Sequence, residues 1–486
     1  MKTLLLFLIA LTQMGAQSLK FDDYFSNQTL RIDYYHTGDA KSELVTADHI
    51  YRYGIWAGSL NNLVDNFNNG AYYYKIYDEA SGKLIYSKGF DSYFKEYQTS
   101  DDAINGIKKA FHESALIPFP KIKIKFSIEK RDSKNILNEI YSAVIDPEDI
   151  YIINEAVDSS GVSVYKEYYS GDPNKKVDVA IIGEGYTKDE KSKFEKDLKH
   201  FTDLFLSQEP YKSLKDKFNI YGIYKASVDS GCDNPGAGIY KNTLLGTTYY
   251  SLGSERYILT ENNKALRDVA ANVPYDAIYI MINESRYGGG GIYNLYCTFI
   301  TDNQFSDYIF LHEFGHSFSG LADEYYTSDV AYNDFYPKGI EPVEPNITRL
   351  FDKNNLKWKN LITQGTEIPT PWEKEDYDKF DLAWQKVRRE LNQKIVNLQR
   401  SMAPKDQIEK LKEKYNTLDK QHSDEADSVL HSSKYWGKVG AFEGAGYSSK
   451  GMYRPMIDCI MFSKGAKPFC KVCEESIKKV IKRYTD

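Results

Sequence analysis

Apolar residues in the first 160 positions tend to fall at every second place. Leu30-Arg31-Ile32-Asp33-Tyr34, Tyr72 to Tyr77 and Ile122-Lys123-Ile124-Lys125-Phe126-Ser127-Ile128 alternate in this way, with Asn-Asn-Gly and Ser-Gly turns along the segment. A period of two predicts strands that bury one face, and a run of them reads as an N-terminal antiparallel β-sandwich. The polar stretch Asp158-Ser159-Ser160-Gly161 marks a boundary. Beyond it the period changes. Val177 to Ile182 reads as a buried strand, Phe194, Leu198, Phe201 and Phe205 form a helical stripe, and Phe218 to Tyr224 and Ala277 to Ile282 read as strands again. Alternating strand and helix predicts an α/β domain. A charged segment, 373–430, carries Trp384, Val387, Leu391, Ile395, Leu398 and Met402 at three- and four-residue steps, then Ala403-Pro404, then Ile408, Leu411, Tyr415 and Leu418. This predicts a helical hairpin inserted into that domain. It serves either as a lid or exosite over a cleft or as an arm without catalytic consequence.

The chain opens as an exported protein does. Met1-Lys2 is positive, Thr3 to Leu11 is apolar, and Gly15-Ala16 offers small residues for cleavage. The expected organisation is therefore a signal peptide over 1–16, the β-sandwich over 17–160 and the α/β domain over 161–486, secreted or periplasmic after the leader is removed. The apolar run is too short to span a bilayer, and no other stretch qualifies, so no membrane span is expected. A net charge of −7 with dispersed lysines gives no basic face, which argues against a nucleic-acid partner. The 41 tyrosines suit contact surfaces and strand filling equally well. Five cysteines leave one over if pairs form within the chain. A disulfide among Cys459, Cys470 and Cys473 is compatible with an oxidising compartment, and Cys470-x-x-Cys473 alone is weak grounds for a redox motif or a metal site.

The densest chemistry lies in Leu311-His312-Glu313-Phe314-Gly315-His316 and the following Ser317-Phe318-Ser319-Gly320-Leu321-Ala322-Asp323-Glu324-Tyr325. Residues four apart on a helix share a face, so His312 and His316 can direct ring nitrogens at one Zn2+ ion. Glu313 is one position round and can act as general base towards a water at that ion. Ile309, Phe310, Phe314 and Phe318 give the helix an apolar face, and Gly320 is its expected left-handed stop. The third ligand is expected beyond that glycine: Asp323 first, with Glu324 and the remote His431 as alternatives. Downstream, Tyr453-Arg454-Pro455-Met456-Ile457-Asp458-Cys459-Ile460-Met461 has the character of a Met-turn, with Met461 beneath the metal. Tyr453 and Tyr325 are the expected donors to a developing oxyanion. The Gly-rich run Arg286-Tyr287-Gly288-Gly289-Gly290-Gly291 lacks the Lys-Ser/Thr of a phosphate loop and reads as a flexible connection beside the cleft.

Taken together, the helix with Gly-Leu-Ala-Asp-Glu-Tyr after it, Pro369-Thr370-Pro371-Trp372, Phe442-Glu443-Gly444-Ala445, Tyr453-Arg454-Pro455 and Phe469-Cys470-Lys471-Val472-Cys473 resemble the bacterial IgA-peptidase family of metalloendopeptidases. The similarity runs from about residue 175 to the C-terminus, and Phe111-His112-Glu113-Ser114 with Pro118-Phe119-Pro120 resembles that family's N-terminal domain. The resemblance implies a metzincin-like zinc endopeptidase with two histidines and an aspartate as ligands, acting on protein or peptide. It does not imply immunoglobulin as the substrate. The competing reading is a secreted binding protein in which a degenerate protease domain holds glycan or protein. A third is metal-dependent hydrolysis of another amide by the same residues. An intact His-Glu-x-x-His favours the enzyme, because a retired site has no use for the glutamate.

Overall fold

A computed structural model of the chain describes residues 19–154, 156–327, 336 and 338–486. The expected signal peptide lies outside the described residues. The N-terminal region is rich in β-sheet. Strands β1 (Phe25–Gly38), β2 (Glu43–Tyr53), β3 (Tyr72–Asp78), β4 (Leu84–Phe90), β5 (Lys109–Pro120), β6 (Ile124–Arg131) and β7 (Leu137–Ile145) form two antiparallel sheets. Their orders are β2-β1-β5 and β4-β3-β6-β7. Side chains from both sheets share one core, in which Ile32, Tyr34, Tyr74, Ile76, Ile117 and Phe126 are all buried. Alternation explains this, since in each strand every second residue turns to the same side.

The α/β domain is built on a six-stranded sheet. Its members are β8 (Val162–Tyr169), β9 (Val177–Glu184), β10 (Phe218–Lys225), β11 (Ala277–Ile282), β12 (Gly289–Ile292) and β13 (Tyr296–Ile300). The order is β12-β13-β11-β9-β10-β8, parallel through the four central strands and antiparallel at both edges. All eight residues of β9 are buried, Asp178 and Glu184 included, as expected of a central parallel strand covered on both faces. Helix α1 (Lys191–Ser207) turns its Phe194, Leu198, Phe201 and Phe205 inward, while α2 (Asn263–Ala270) packs at the junction with the N-terminal region. The large core also takes in Tyr93, Phe94, Tyr97 and Phe111, so part of the N-terminal region folds against the α/β domain.

Helix α3 (Ser306–Ser319) crosses under this sheet and carries both histidines. Tyr279 of β11 stacks on Phe310 at 4.5 Å and on Phe314 at 4.8 Å between ring centroids, which fixes the helix rotation. The charged segment forms two 27-residue helices, α4 (Lys374–Arg400) and α5 (Lys405–His431), joined around Pro404. They are followed by the ribbon of β14 (Phe442–Ala445) and β15 (Ser448–Arg454), then the C-terminal α6 (Lys471–Thr485). Among the described residues no helix is long and apolar enough to cross a membrane.

The end of α3 is where the two regions grip each other. Gly320 has φ 59° and stops the helix in the left-handed region. Asn69, from the N-terminal region, donates through Nδ2 to the carbonyls of Ser319 and Gly320 at 3.4 and 3.3 Å. A Cβ at position 320 would stand 2.1 Å from that nitrogen. Gly320→Ala is therefore expected to destabilise the protein by at least about 1–2 kcal/mol, the backbone cost of the left-handed conformation alone. Denaturant unfolding checks this, and an unchanged midpoint would refute it.

Candidate active site

The histidines are aimed by their backbone neighbours. His312 Nδ1 lies 2.9 Å from the carbonyl of Ile460, and His316 Nδ1 lies 2.6 Å from the carbonyl of Leu321. A carbonyl only accepts, so both Nδ1 atoms carry hydrogen and both Nε2 atoms are left to face inward. Those two Nε2 atoms are 3.1 Å apart. Asp323 Oδ1 completes a triangle, 3.1 Å from His312 Nε2 and 3.2 Å from His316 Nε2.

Asp323 reaches this position because the chain after Gly320 is held on both sides. Asn346 accepts from the Ala322 N–H at 2.8 Å and donates to the Ala322 carbonyl at 2.9 Å. On the other side Gly446 N–H donates to the Asp323 carbonyl, and Tyr447 N–H to that of Tyr325, at 3.0 and 3.1 Å. The same contact delivers the Tyr447 hydroxyl to Asp323 Oδ2, where it donates a hydrogen bond. With one carboxylate oxygen occupied by Tyr447, the other faces the imidazoles.

The arrangement fits a divalent cation. Ligand bonds of about 2.0–2.1 Å in tetrahedral geometry put N and O atoms about 3.3 Å apart, close to the three separations found here. The Glu313 carboxylate stands next to them, with one oxygen within 4.8 Å of a ring nitrogen of each histidine. Electrostatics agree. Burial pushes the Asp323 carboxyl up, but the charges and hydrogen bonds of His316 and His312 outweigh it and hold it well below the usual carboxylate range. Burial works to lower His316, yet Asp323 and then Glu313 win and lift it to about 9. Desolvation raises the Glu313 carboxyl above its ordinary value, opposed by the two histidines.

The remaining expected residues divide. Met461 is fully buried beneath α3, its sulfur 2.9 Å from where a Cβ on Gly315 would stand. Tyr325 lines the cleft, its ring parallel to that of His312 at 6.3 Å. Tyr453 does not line the cleft; it sits on β15 opposite Glu443 and is bridged through its backbone to Thr348. Glu324 points to the interior rather than to the histidines, and His431 packs edge-on against Trp436 at the end of α5. Within the glycine-rich run, Gly289 to Gly291 are not a loose connection but part of strand β12 at the sheet edge, while Arg286 to Gly288 lie outside it. A Cβ on Gly291 would stand 2.5 Å from the Glu313 carbonyl and 3.0 Å from His316 Cβ, so glycine lets this strand lie directly on α3.

The cleft has walls from three sources. Asp91 and Glu96 come from the N-terminal region, Arg256 and Tyr287 from the α/β domain, and Trp384 and His422 from the α4–α5 hairpin. The hairpin is tied down at two places: Tyr326 donates to Asp378 near the start of α4 at 2.7 Å, and Lys464 pairs with Asp419 midway along α5 at 2.9 Å. Sequence reasoning missed Tyr447 and Arg256, which carry no local motif.

A family model described as IgA Peptidase M64 matches residues 167–481, and one described as Peptidase M64 N-terminus matches residues 20–142. No curated protein matches the chain.

Two outcomes follow from this geometry. Tyr447→Phe frees Asp323 Oδ2 and is expected to weaken metal affinity about 10- to 100-fold, read by competition with a chromophoric chelator; unaltered affinity contradicts the orienting role. Metal must also displace the proton that Asp323 favours on His316. Below about 9 that proton is bound and above it is gone, so affinity should fall about tenfold for each pH unit below that value and level off above it. A flat profile from neutral pH to 9 would exclude this competition.

Proposed function

Because the chain belongs to the IgA Peptidase M64 family of peptidases, we propose that it is a zinc-dependent endopeptidase with a metzincin-like catalytic domain. The observation that carries this reading is the triangle of His312 Nε2, His316 Nε2 and Asp323 Oδ1, with separations of 3.1, 3.1 and 3.2 Å, beside the Glu313 carboxylate. His312, His316 and Asp323 would hold the metal. When bound, zinc supplies Lewis-acid polarisation of the scissile carbonyl and acidifies a water.

The chain's own groups do the rest. Glu313, with a carboxyl raised by desolvation, takes the proton from the attacking water and delivers it to the leaving amine. Tyr325 is pushed well above the usual phenol range, by burial first and then by the charge of Asp323, and so stays a neutral O–H donor to the charge growing on the substrate oxygen. Tyr325 replaces Tyr453 in that role. Strand β12 orients substrate. Its Gly289 is already bonded outward, its carbonyl accepting from Ile258 N–H and its N–H donating to Arg256, each at 3.2 Å. Gly291, two residues on, turns its backbone groups to the same outer side, where an extended peptide can add as a further strand. The hairpin of α4 and α5 supplies a wall of the cleft and restricts what enters it. We read 17–160 as a β-sandwich module bracing the catalytic domain over 161–486, and the mature protein as secreted or periplasmic.

Glu313→Gln is expected to keep one metal at the histidine site while peptide hydrolysis falls about 10²- to 10⁴-fold. Tyr325→Phe should lower kcat about 100-fold with little change in metal content. Cleavage-site profiling on a peptide library, with and without chelator, reads both. Hydrolysis by Glu313→Gln at the parent's rate would remove the assigned base, and metal-loaded parent that cuts no peptide would leave a binding protein.

A further inference from the structure

Behind the histidine triangle lies a second group of ligand-type side chains that the proposed reaction does not use. Glu324 follows Asp323 directly, but the extended chain turns it the opposite way, into the interior, where it is 0% exposed. There it meets three cysteines from two other segments. Glu324 Oε1 is 3.3 Å from Cys473 Sγ and 3.9 Å from Cys470 Sγ, and Cys459 Sγ is 3.9 Å from Cys473 Sγ. One ligand atom from each of the four lies within 4.8 Å of every other.

These spacings have a simple physical reading. Tetrahedral coordination with metal–sulfur bonds of about 2.3 Å sets sulfurs about 3.8 Å apart and sulfur to oxygen about 3.5 Å apart. Backbone donors already point at the sulfurs: Cys470 N–H lies 3.1 Å from Cys459 Sγ, and Cys473 N–H lies 3.5 Å from Cys470 Sγ at the N-terminus of α6. Both favour thiolate over thiol. An independent observation concerns Glu324 itself. Its Oε1 accepts from Asn346 Nδ2 at 3.0 Å, yet its Oε2 is buried with no hydrogen-bond partner. A carboxylate buried among thiols with an unsatisfied oxygen is costly unless a cation compensates it. A disulfide between two of the cysteines would leave the third thiol and that oxygen unexplained.

We propose that Cys459, Cys470, Cys473 and Glu324 form a second metal site, for a thiophilic divalent cation of the zinc class. All four positions are protein ligands, with none left for water or substrate, so the site is structural. Binding replaces the three thiol protons, which leave to solvent. Its effect on the neighbouring triangle is mechanical. Glu324 N–H donates to the Met461 carbonyl at 2.8 Å, and Cys459 precedes the Ile460 carbonyl that aims His312. The second ion therefore pins together α6, the turn that orients His312, and the turn that presents Asp323.

Metal content by elemental analysis and native mass spectrometry of the purified full chain tests this independently of peptide hydrolysis. Two zinc ions per chain are expected, one of which survives in His312→Ala/His316→Ala. Cobalt loaded into that double variant should show thiolate-to-cobalt charge-transfer absorption, which a histidine–aspartate site cannot give, and Cys473→Ser should abolish it. If cysteine variants fail to fold, the parent decides alone: five titratable thiols per chain after denaturation in chelator accord with the five unpaired cysteines. Three thiols and a mass short by two hydrogens, or a single metal that disappears with the histidines, would overturn the second site.

Discussion

The hydrogen bonds from His312 Nδ1 to Ile460 and from His316 Nδ1 to Leu321 set the chemistry of the cleft. Imidazole can present either nitrogen, and helical spacing alone leaves that choice open. A backbone carbonyl against each Nδ1 removes it, because only the N–H form is tolerated there. Both Nε2 lone pairs then converge, and Tyr447 does the equivalent for Asp323 by engaging the carboxylate oxygen that does not face them. Three side chains from one helix and the turn after it are thereby directed at one point by hydrogen bonds to their outer atoms.

That preorganisation depends on parts distant in sequence. The Ile460 carbonyl lies 148 residues beyond His312, and Tyr447 lies 124 residues beyond Asp323. Both are delivered by the segment after the α4–α5 hairpin, so the hairpin separates the two halves of the site along the chain while forming a wall of it in space. The N-terminal region contributes in a different way. Asn69 grips the carbonyls at the end of α3, and Arg483 of α6 pairs with Asp65 at 3.1 Å. The helix that carries the histidines is thereby held at its C-terminal end by the other region of the chain.

How much of this could be read beforehand follows from how local each signal is. The strands at Leu30 and Tyr72 were legible from alternation, and those at Val177, Phe218 and Ala277 from short, mostly apolar runs that are buried on both faces. His312, Glu313, His316 and the Gly320 stop were legible because helix geometry relates them over a few residues. Asp323 could be reached from the turn, but Glu324 beside it could not be separated from it until the direction of the extended chain was known. Tyr447 was one tyrosine among 41, with nothing in its neighbours to mark it. Gly288 to Gly291 carry no side chains and so no period, which is why an edge strand reads as a loose connection. Tyr453 and Tyr325 were equivalent as tyrosines near the motif segments, and only the folded chain separates them, with Tyr325 in the cleft lining and Tyr453 on β15 outside it.

The central claim is that one cation sits at the triangle of His312, His316 and Asp323. Anomalous diffraction from crystals of the zinc-loaded protein, collected on both sides of the zinc absorption edge, measures it directly. The account predicts a peak in coordination contact with both Nε2 atoms and Asp323 Oδ1, with the Glu313 carboxylate beside it and outside bonding distance. Density that shows the two imidazoles diverging with no scatterer between them, or zinc bound by Glu313 in place of Asp323, contradicts it.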